Sequence, residues 1–369
     1  MDSLALTYSV TLSITVGETY LFRFKAKNIH GWSPWSDELA LVAASVPTKV
    51  EPAAVTFNEA TDVRISWTQP ADAGGVPITE YTISIRPSGG APYQVDPSCD
   101  GADATVMANL FCLVPMANLR AAPFTLGLDE LAVVQVTATN EIGTSDPSDA
   151  NTGGAVVKTE PTAPSAPLRD DAGTSDLQIT VSFPVVDSHP DHGGSPITSI
   201  ALYWDEGRGD GTYTALVGEG SDSLLEVFTV SGGVTRSGLY EFRHRAANIF
   251  GWGGYSPAVT ITAATKPDVM AAVVTTVTAS SKVRFTWVAP DDRGDAIQSY
   301  QVLVRASDPS SFLEDTTDCD GSDPTIRANA YCEIPLATLQ AGGFTGLAQG
   351  DLIVATVSAT NAFGTSSAS

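Results

Sequence analysis

The chain has 369 residues, 43% of them hydrophobic and only 17% charged, with 32 glycines and 23 prolines. Its formal net charge of -23 excludes nucleic acid as a partner, because that recognition needs a cationic footprint against phosphate. No apolar run reaches the roughly 18 residues of a membrane-spanning helix, so no membrane insertion is expected in this segment, and the length suits three or four domains rather than one core.

Residues 1–46 open with MDSLALTYSVTLSITVG, where apolar and polar residues alternate without a basic leader, as in a strand and not a signal peptide. In YLFRFKAK, Tyr20, Phe22, Phe24 and Ala26 share one face, and Arg23, Lys25 and Lys27 the other. GWSPWSD follows, and its Trp32 and Trp35 can interleave with those cations in a ladder worth about 0.5–1 kcal/mol per exposed rung. These residues amount to the second half of a module, roughly its E, F and G strands. Half a sandwich exposes an apolar face and unpaired edges, so the missing strands are expected from preceding chain or from a neighbouring copy.

Residues 47–158 form a full module: VRISW from Val63 with Trp67 inward, the turn-rich PADAGGVPIT, the strand YTISI and a later strand LAVVQVTATN from Leu131. Between them lies CDGADATVMANLFC, Cys99 to Cys112. Residues 159–267 parse the same way without cysteine, and residues 268–369 parse so again with CDGSDPTIRANAYC, Cys319 to Cys332, stopping as the last strand begins. Almost no helix is expected, since glycine, proline and low charge favour short strands and turns. Cys99 and Cys319, Trp67 and Trp287, Tyr20 and Tyr240, and Asn28 and Asn248 each differ by 220 in number. At about half that period, ATNEIGTSDPS echoes AKNIHGWSPWS and AANIFGWGGYS, so two module types alternate. Proline-bearing SVPTKVEP and KTEPTAPSAP separate them as stiff linkers.

The strand-B Trp, P-x-x-x-G-G-x-P-I-T-x-Y and Y-x-F-R-x-x-A-x-N-x-x-G-x-S together resemble the fibronectin type III family over essentially the whole chain, with Phe183 replacing the Trp in the third module. The resemblance implies an all-β fold of tandem Ig-like sandwiches, beads on a string. It also implies extracellular or cell-surface modules that serve as spacers and binding platforms, with no catalysis. Tyr20 and Tyr240 stand where a tyrosine corner would bind the backbone, whereas the cysteine-bearing modules have Ala132 and Ile353 there. WSPWS is similar to the WSXWS box of class I cytokine receptors, which implies the ladder and makes Trp32 a candidate for C-mannosylation. The four-cysteine module of those receptors is absent, and cytokine binding is not expected. Arg243, Arg245, Trp252 and Tyr255 repeat the ladder 220 residues on.

Even count and repeated spacing favour disulfides within each cysteine pair, Cys99 with Cys112 and Cys319 with Cys332, over free thiols or bridges between chains. Zinc lacks a CxxC or a nearby histidine. Asp318, Asp320 and Asp323 offer hard oxygen ligands for calcium, but solvated turn carboxylates fit better, because the distal Glu of a calcium loop is missing. No other metal or cofactor is expected. Two Arg-Gly-Asp triplets, Arg208–Asp210 and Arg293–Asp295, and the pair His189 and His192 read as turns. No nucleophile elbow, phosphate loop or HExxH appears, so no enzyme is expected. No N-x-[ST] sequon occurs, which leaves Ser/Thr-linked sugars. The periodic features point to a structural repeat segment of a large extracellular or cell-surface protein, the subunit of a filament or appendage. Its partners would be copies of itself or neighbouring modules, with glycans on the exposed aromatics as a further class. An adhesin or receptor ectodomain is the rival reading.

Overall fold

The computed structural model describes residues 4–369 except 12, 59–60, 91, 185, 307, 309, 342–343 and 345–349. Tertiary contacts divide the chain into two units. One holds the residues up to Glu160 together with Ser188–Pro196 and Asn248–Gly251; the other holds Pro161–Asp187, Ile197–Ala247 and Trp252–Ser369.

In the first unit, one antiparallel sheet joins Ala54–Asn58, Asp62–Ser66 and Phe111–Pro115. A second joins Gln94–Val95, Ile78–Ile85, Val134–Asn140 and Gly143–Thr144. Burial alternates along Asp62–Ser66 and Val134–Asn140, as expected of strands with one face on a core. Val63, Ile65, Trp67 and Val114 from one sheet meet Tyr81, Ile83, Val134 and Val136 from the other. Residues 4–46 contribute a two-stranded sheet, Thr19–Phe22 with Leu39–Val42, and the small pair Lys27–Asn28 with Gly31–Trp32.

The second unit holds two further cores. Ile179, Val181 and Phe183 pack with Ile200, Leu202, Tyr240 and Phe242 between the sheet of Leu168–Arg169, Ile179–Ser182 and Val227–Val230 and the sheet built on Ser199–Trp204 and Leu239–Asn248. Val283, Phe285 and Trp287 pack with Tyr300, Val302 and Val357 between Val274–Val277, Lys282–Thr286 and Tyr331–Pro335 on one side and Ser299–Arg305 and Ala355–Asn361 on the other.

The chain is mostly strand, as expected from composition, and among the described residues four short α-helices stand out: Ala104–Asn109, Met116–Arg120, Pro324–Asn329 and Leu336–Leu339. The reason is local. Asp103 accepts from the amides of Thr105 (2.8 Å) and Val106 (3.1 Å), and Leu110 closes the helix in the left-handed region. Asp323 and Ala330 repeat both devices.

Candidate functional sites: staples, corners, ladders and joints

Cys99 and Cys112 are joined, as are Cys319 and Cys332, each pair with Cα atoms 5.2 Å apart. Cys112 lies on Phe111–Pro115 opposite Ile65, and Cys99 sits in the loop after Gln94–Val95. The residues between them carry the capped helix, so the acidic character of the segment is used for capping. Asp323 holds its carboxyl below the ordinary range through the amides of Ile326 and Thr325, and Asp320 does so through Ser322. Among the described residues no three His, Cys, Asp or Glu side chains gather to hold a metal, so the calcium candidates Asp318, Asp320 and Asp323 are not brought together as a ligand set.

In residues 159–267 the Tyr240 hydroxyl accepts from the Thr235 amide at 2.7 Å and donates to the Gly233 carbonyl at 3.2 Å. Tyr20 does the same with Thr15 (2.8 Å) and Ser13 (3.3 Å). The cysteine-bearing segment ties the same region differently: the buried Asn151 accepts from the Val134 amide and donates to the Ala132 carbonyl.

The ladder of residues 4–46 runs Arg23 over Trp35 (4.7 Å), Lys25 over Trp32 (4.7 Å) and Trp35 (4.8 Å), and Lys27 over Trp32 (5.6 Å). In the second copy Arg245 lies 4.8 Å from Trp252 and 4.5 Å from Tyr255, and Arg243 lies 3.9 Å from Tyr255. Two members were not found by sequence. Tyr213 stacks on Arg243 at 3.9 Å, and the Tyr203 hydroxyl accepts from Arg245 Nε at 2.9 Å. Burial pushes the Tyr203 hydroxyl well above the ordinary tyrosine range. The serines of WSPWS bind backbone and not the ladder, with Ser33 and Ser36 accepting from the amides of Ala26 and Phe24, each at 3.0 Å. Ser145 and Ser148 do so for Ala138 and Val136, and Ser366 and Ser369 for Ala359 and Val357.

A joint recurs at each linker, and its asparagine was visible in the sequence only as a repeat marker. Asn140 Nδ2 donates to the carbonyls of Ser45 and Ala73, both at 2.8 Å, while the Ser45 amide donates to Gly74. Asn248 Nδ2 donates to Thr159 (2.8 Å) and His192 (2.9 Å), while the Thr159 amide donates to Gly193. Asn361 Nδ2 donates to Thr265 (2.8 Å) and Asp292 (3.0 Å), while the Thr265 amide donates to Arg293. Each asparagine also accepts, through Oδ1, from the amide two residues on, in Ile142, Phe250 or Phe363. The paired glycines now have a reason. A Cβ on Gly74 would meet the Ser45 carbonyl at 2.1 Å, and one on Gly193 would meet that of Thr159 at 2.2 Å, at φ +81 and +67. Among the described residues Asn28 shows only the Oδ1 half of this pattern, accepting from the His30 amide at 2.9 Å.

The Arg-Gly-Asp triplets and the histidines are engaged locally. Arg293 Nε donates to Asp268 at 2.8 Å, and Asp295 accepts from the Ala362 amide. Arg208 pairs with Glu206 at 2.8 Å, and Asp210 accepts from Thr212. Arg236 forks onto Asp291 and Asp292 and, with the Arg293 amide, holds the Asp291 carboxyl down to about 2. His189 Nε2 lies 3.0 Å from Asp129, and His192 Nδ1 accepts from the Gly194 amide.

Residues 4–46 present an apolar face. Val10 is 42% exposed, Phe22 37% and Leu41 50%, whereas their counterparts 220 residues on, Val230, Phe242 and Ile261, are 7%, 0% and 2% exposed.

No family model matches the chain. Over 72 residues, 19% of its length, it is 33% identical to "Fibronectin type-III domain-containing protein 3A" of Pongo abelii, and equally so to the protein of that name from Homo sapiens. The match spans 6% of the length of those relatives. Among solved structures, the chicken CNTN1 FN1-FN3 domains cover 88% of this chain and 97% of their own at a TM-score of 0.35 and 16% identity. The two-sheet cores make this a chain of tandem β-sandwiches, similar over those 72 residues to a fibronectin type III domain-containing protein.

Proposed function

We propose that the chain is a structural repeat segment of a large extracellular or cell-surface protein, assembled end to end as part of a filament or surface appendage. The observation that carries this reading is the joint, built three times from the same parts: an asparagine, a linker carbonyl, a linker amide and a loop carbonyl. Recurrence is what a scaffold needs. A recognition protein would concentrate its distinctive chemistry in one module, while here staples, ladders and joints repeat. Two disulfides suit an oxidising compartment. The open face of residues 4–46 is where a neighbouring module or second copy would add strands, as sheet edges permit. Electron microscopy of native material tests the proposal. Filaments with an axial repeat set by two or four modules are expected, and dispersed particles without a repeat would overturn it.

The adhesin reading rests on the half-exposed Trp32 and Trp35, a surface on which a sugar ring can stack. Saturable binding of a soluble glycan, lost in Trp32→Ala, would favour it over the scaffold.

A further inference from the structure

The joints at Ser45 and Thr265 lie one long repeat apart and keep the same backbone skeleton. The Ser45 and Thr48 amides donate to the carbonyls of Gly74 and Asp72, and the Thr265 and Asp268 amides donate to those of Arg293 and Asp291. With the asparagine bonds to Ala73 and Asp292, this sets Gly74 against Arg293, Ala73 against Asp292 and Asp72 against Asp291. The Gly17 amide donates to the Ala43 carbonyl as the Ser237 amide does to that of Ala263, which sets Val16 against Arg236.

What fills the skeleton differs. At the first joint Val16 and Gly17 approach Gly75 so closely that a Cβ there would lie 2.6 Å from the Val16 side chain and from the Gly17 nitrogen. At the second, Arg236 reaches from residues 159–267 to Asp291 and Asp292 of residues 268–369, and Arg293 donates to Asp268 at 2.8 Å. The buried Asp176 lies between the two arginines, its oxygens 3.8 Å from Arg236 Nη1 and 3.6 Å from Arg293 Nη1. Val16, Thr48, Ala73 and Gly74 thus all have charged counterparts in Arg236, Asp268, Asp292 and Arg293. Arg293 also holds φ +52, in the left-handed region that Gly74 and Gly193 occupy at the other two joints and that disfavours any residue with a Cβ. Four matched replacements, one of them against backbone preference, are what a built ionic contact requires.

We propose that the joint at Thr265 is an ionic clasp that salt releases, while the joint at Ser45 stays closed under the same conditions. The arginines and the three outer aspartates have side chains 39% to 46% exposed, within reach of counterions. Screening of such pairs is steep, because the Debye length falls from about 30 Å at about 0.01 M salt to about 3 Å at about 1 M. The contact of Val16 with Gly75 carries no charge to screen. The chain therefore has one fixed boundary and one that loosens with ionic strength.

The test follows amide hydrogen exchange by NMR in the 369-residue chain, at about 0.01 M and about 1 M sodium chloride and one pH. The skeleton supplies matched reporters, Thr265 and Asp268 against Ser45 and Thr48. Between the two salts, exchange at Thr265 and Asp268 should rise about threefold to fivefold relative to Ser45 and Thr48, the effect of about one half-exposed ion pair. Arg236→Val installs the residue of the other joint; it should show the faster rate already at low salt and lose the salt dependence. Asp292→Asn keeps an acceptor for the Gly294 amide (3.0 Å) and removes only the charge, so it should weaken the salt dependence even if Arg236→Val disturbs its own segment. Equal change at both joints, no change at Thr265 and Asp268, or full salt dependence in both variants overturns the proposal.

Discussion

Residues 47–158 and 159–267 build the same pair of sheets and secure them by opposite means. The first uses a covalent tie, Cys99 to Cys112, around a capped helix, and lets the buried Asn151 replace the tyrosine corner. The second has no cysteine and relies on Tyr240, whose hydroxyl serves two backbone groups, and on the buried Phe183 and His244 with ring centres 5.6 Å apart. The contrast separates two kinds of stabilisation. A cross-link acts mainly by restricting the unfolded chain, while a corner acts only when the native geometry is in place.

The staple is the strongest lever on that contrast. Cys99→Ala with Cys112→Ala should cost residues 47–158 about 3 kcal/mol by the loop-closure relation, seen as a lower denaturant midpoint, and should leave 159–267 unchanged. Equal losses in both segments would mean that they do not unfold separately. Next comes the joint at the boundary between them. Asn248→Ala leaves the Thr159 and His192 carbonyls without that donor and should cost about 1–3 kcal/mol locally. The readout is faster hydrogen exchange at the Thr159 and Phe250 amides, with Val181 unaffected. Tyr240→Phe should cost about 1 kcal/mol in 159–267 alone, because the ring stays and only the hydroxyl bonds go.

Acid gives the smallest effect near neutrality and the most selective. Burial lowers the pKa of His244, whose Nε2 lies 3.1 Å from the Pro184 carbonyl. The unfolded chain therefore binds a proton at a pH where the folded one does not. The contribution of neutral His244 is present above the ordinary value of about 6.5 and is lost as the pH falls below it toward the folded value. Residues 47–158 contain no histidine, so on acidification from neutral the midpoint of 159–267 should fall first, and His244→Leu should flatten the difference.

Much of this was legible in the amino acids. Alternation marked the strands, the 220-residue offset marked the alternating types, and the ladder cations were assigned to one strand face. Each depends on period and spacing within a short stretch. The helices inside the staples were missed because strand-rich composition outweighed a local signal, an aspartate two residues before threonine in DAT and DPT, which caps a helix of one and a half turns. Tyr203 and Tyr213 were missed as ladder members because they come from the hairpin of Ser199–Trp204 with Thr214–Val217, and only its register brings them to Arg243 and Arg245.

By itself, then, the order of residues determined where strands lie, which faces are apolar and which cysteines are near enough to pair, since these follow from periodicity and short chain separation. Tertiary structure decided what Asn140, Asn248 and Asn361 do, why paired glycines precede the second long strand, and that Asn118 reaches Asp96 from a helix 22 residues on. The physical reason is that each depends on polar groups far apart in the chain meeting at hydrogen-bonding distance. A difference of one side chain, Asn118 against Thr338, changes such a contact without disturbing the pattern of strands around it.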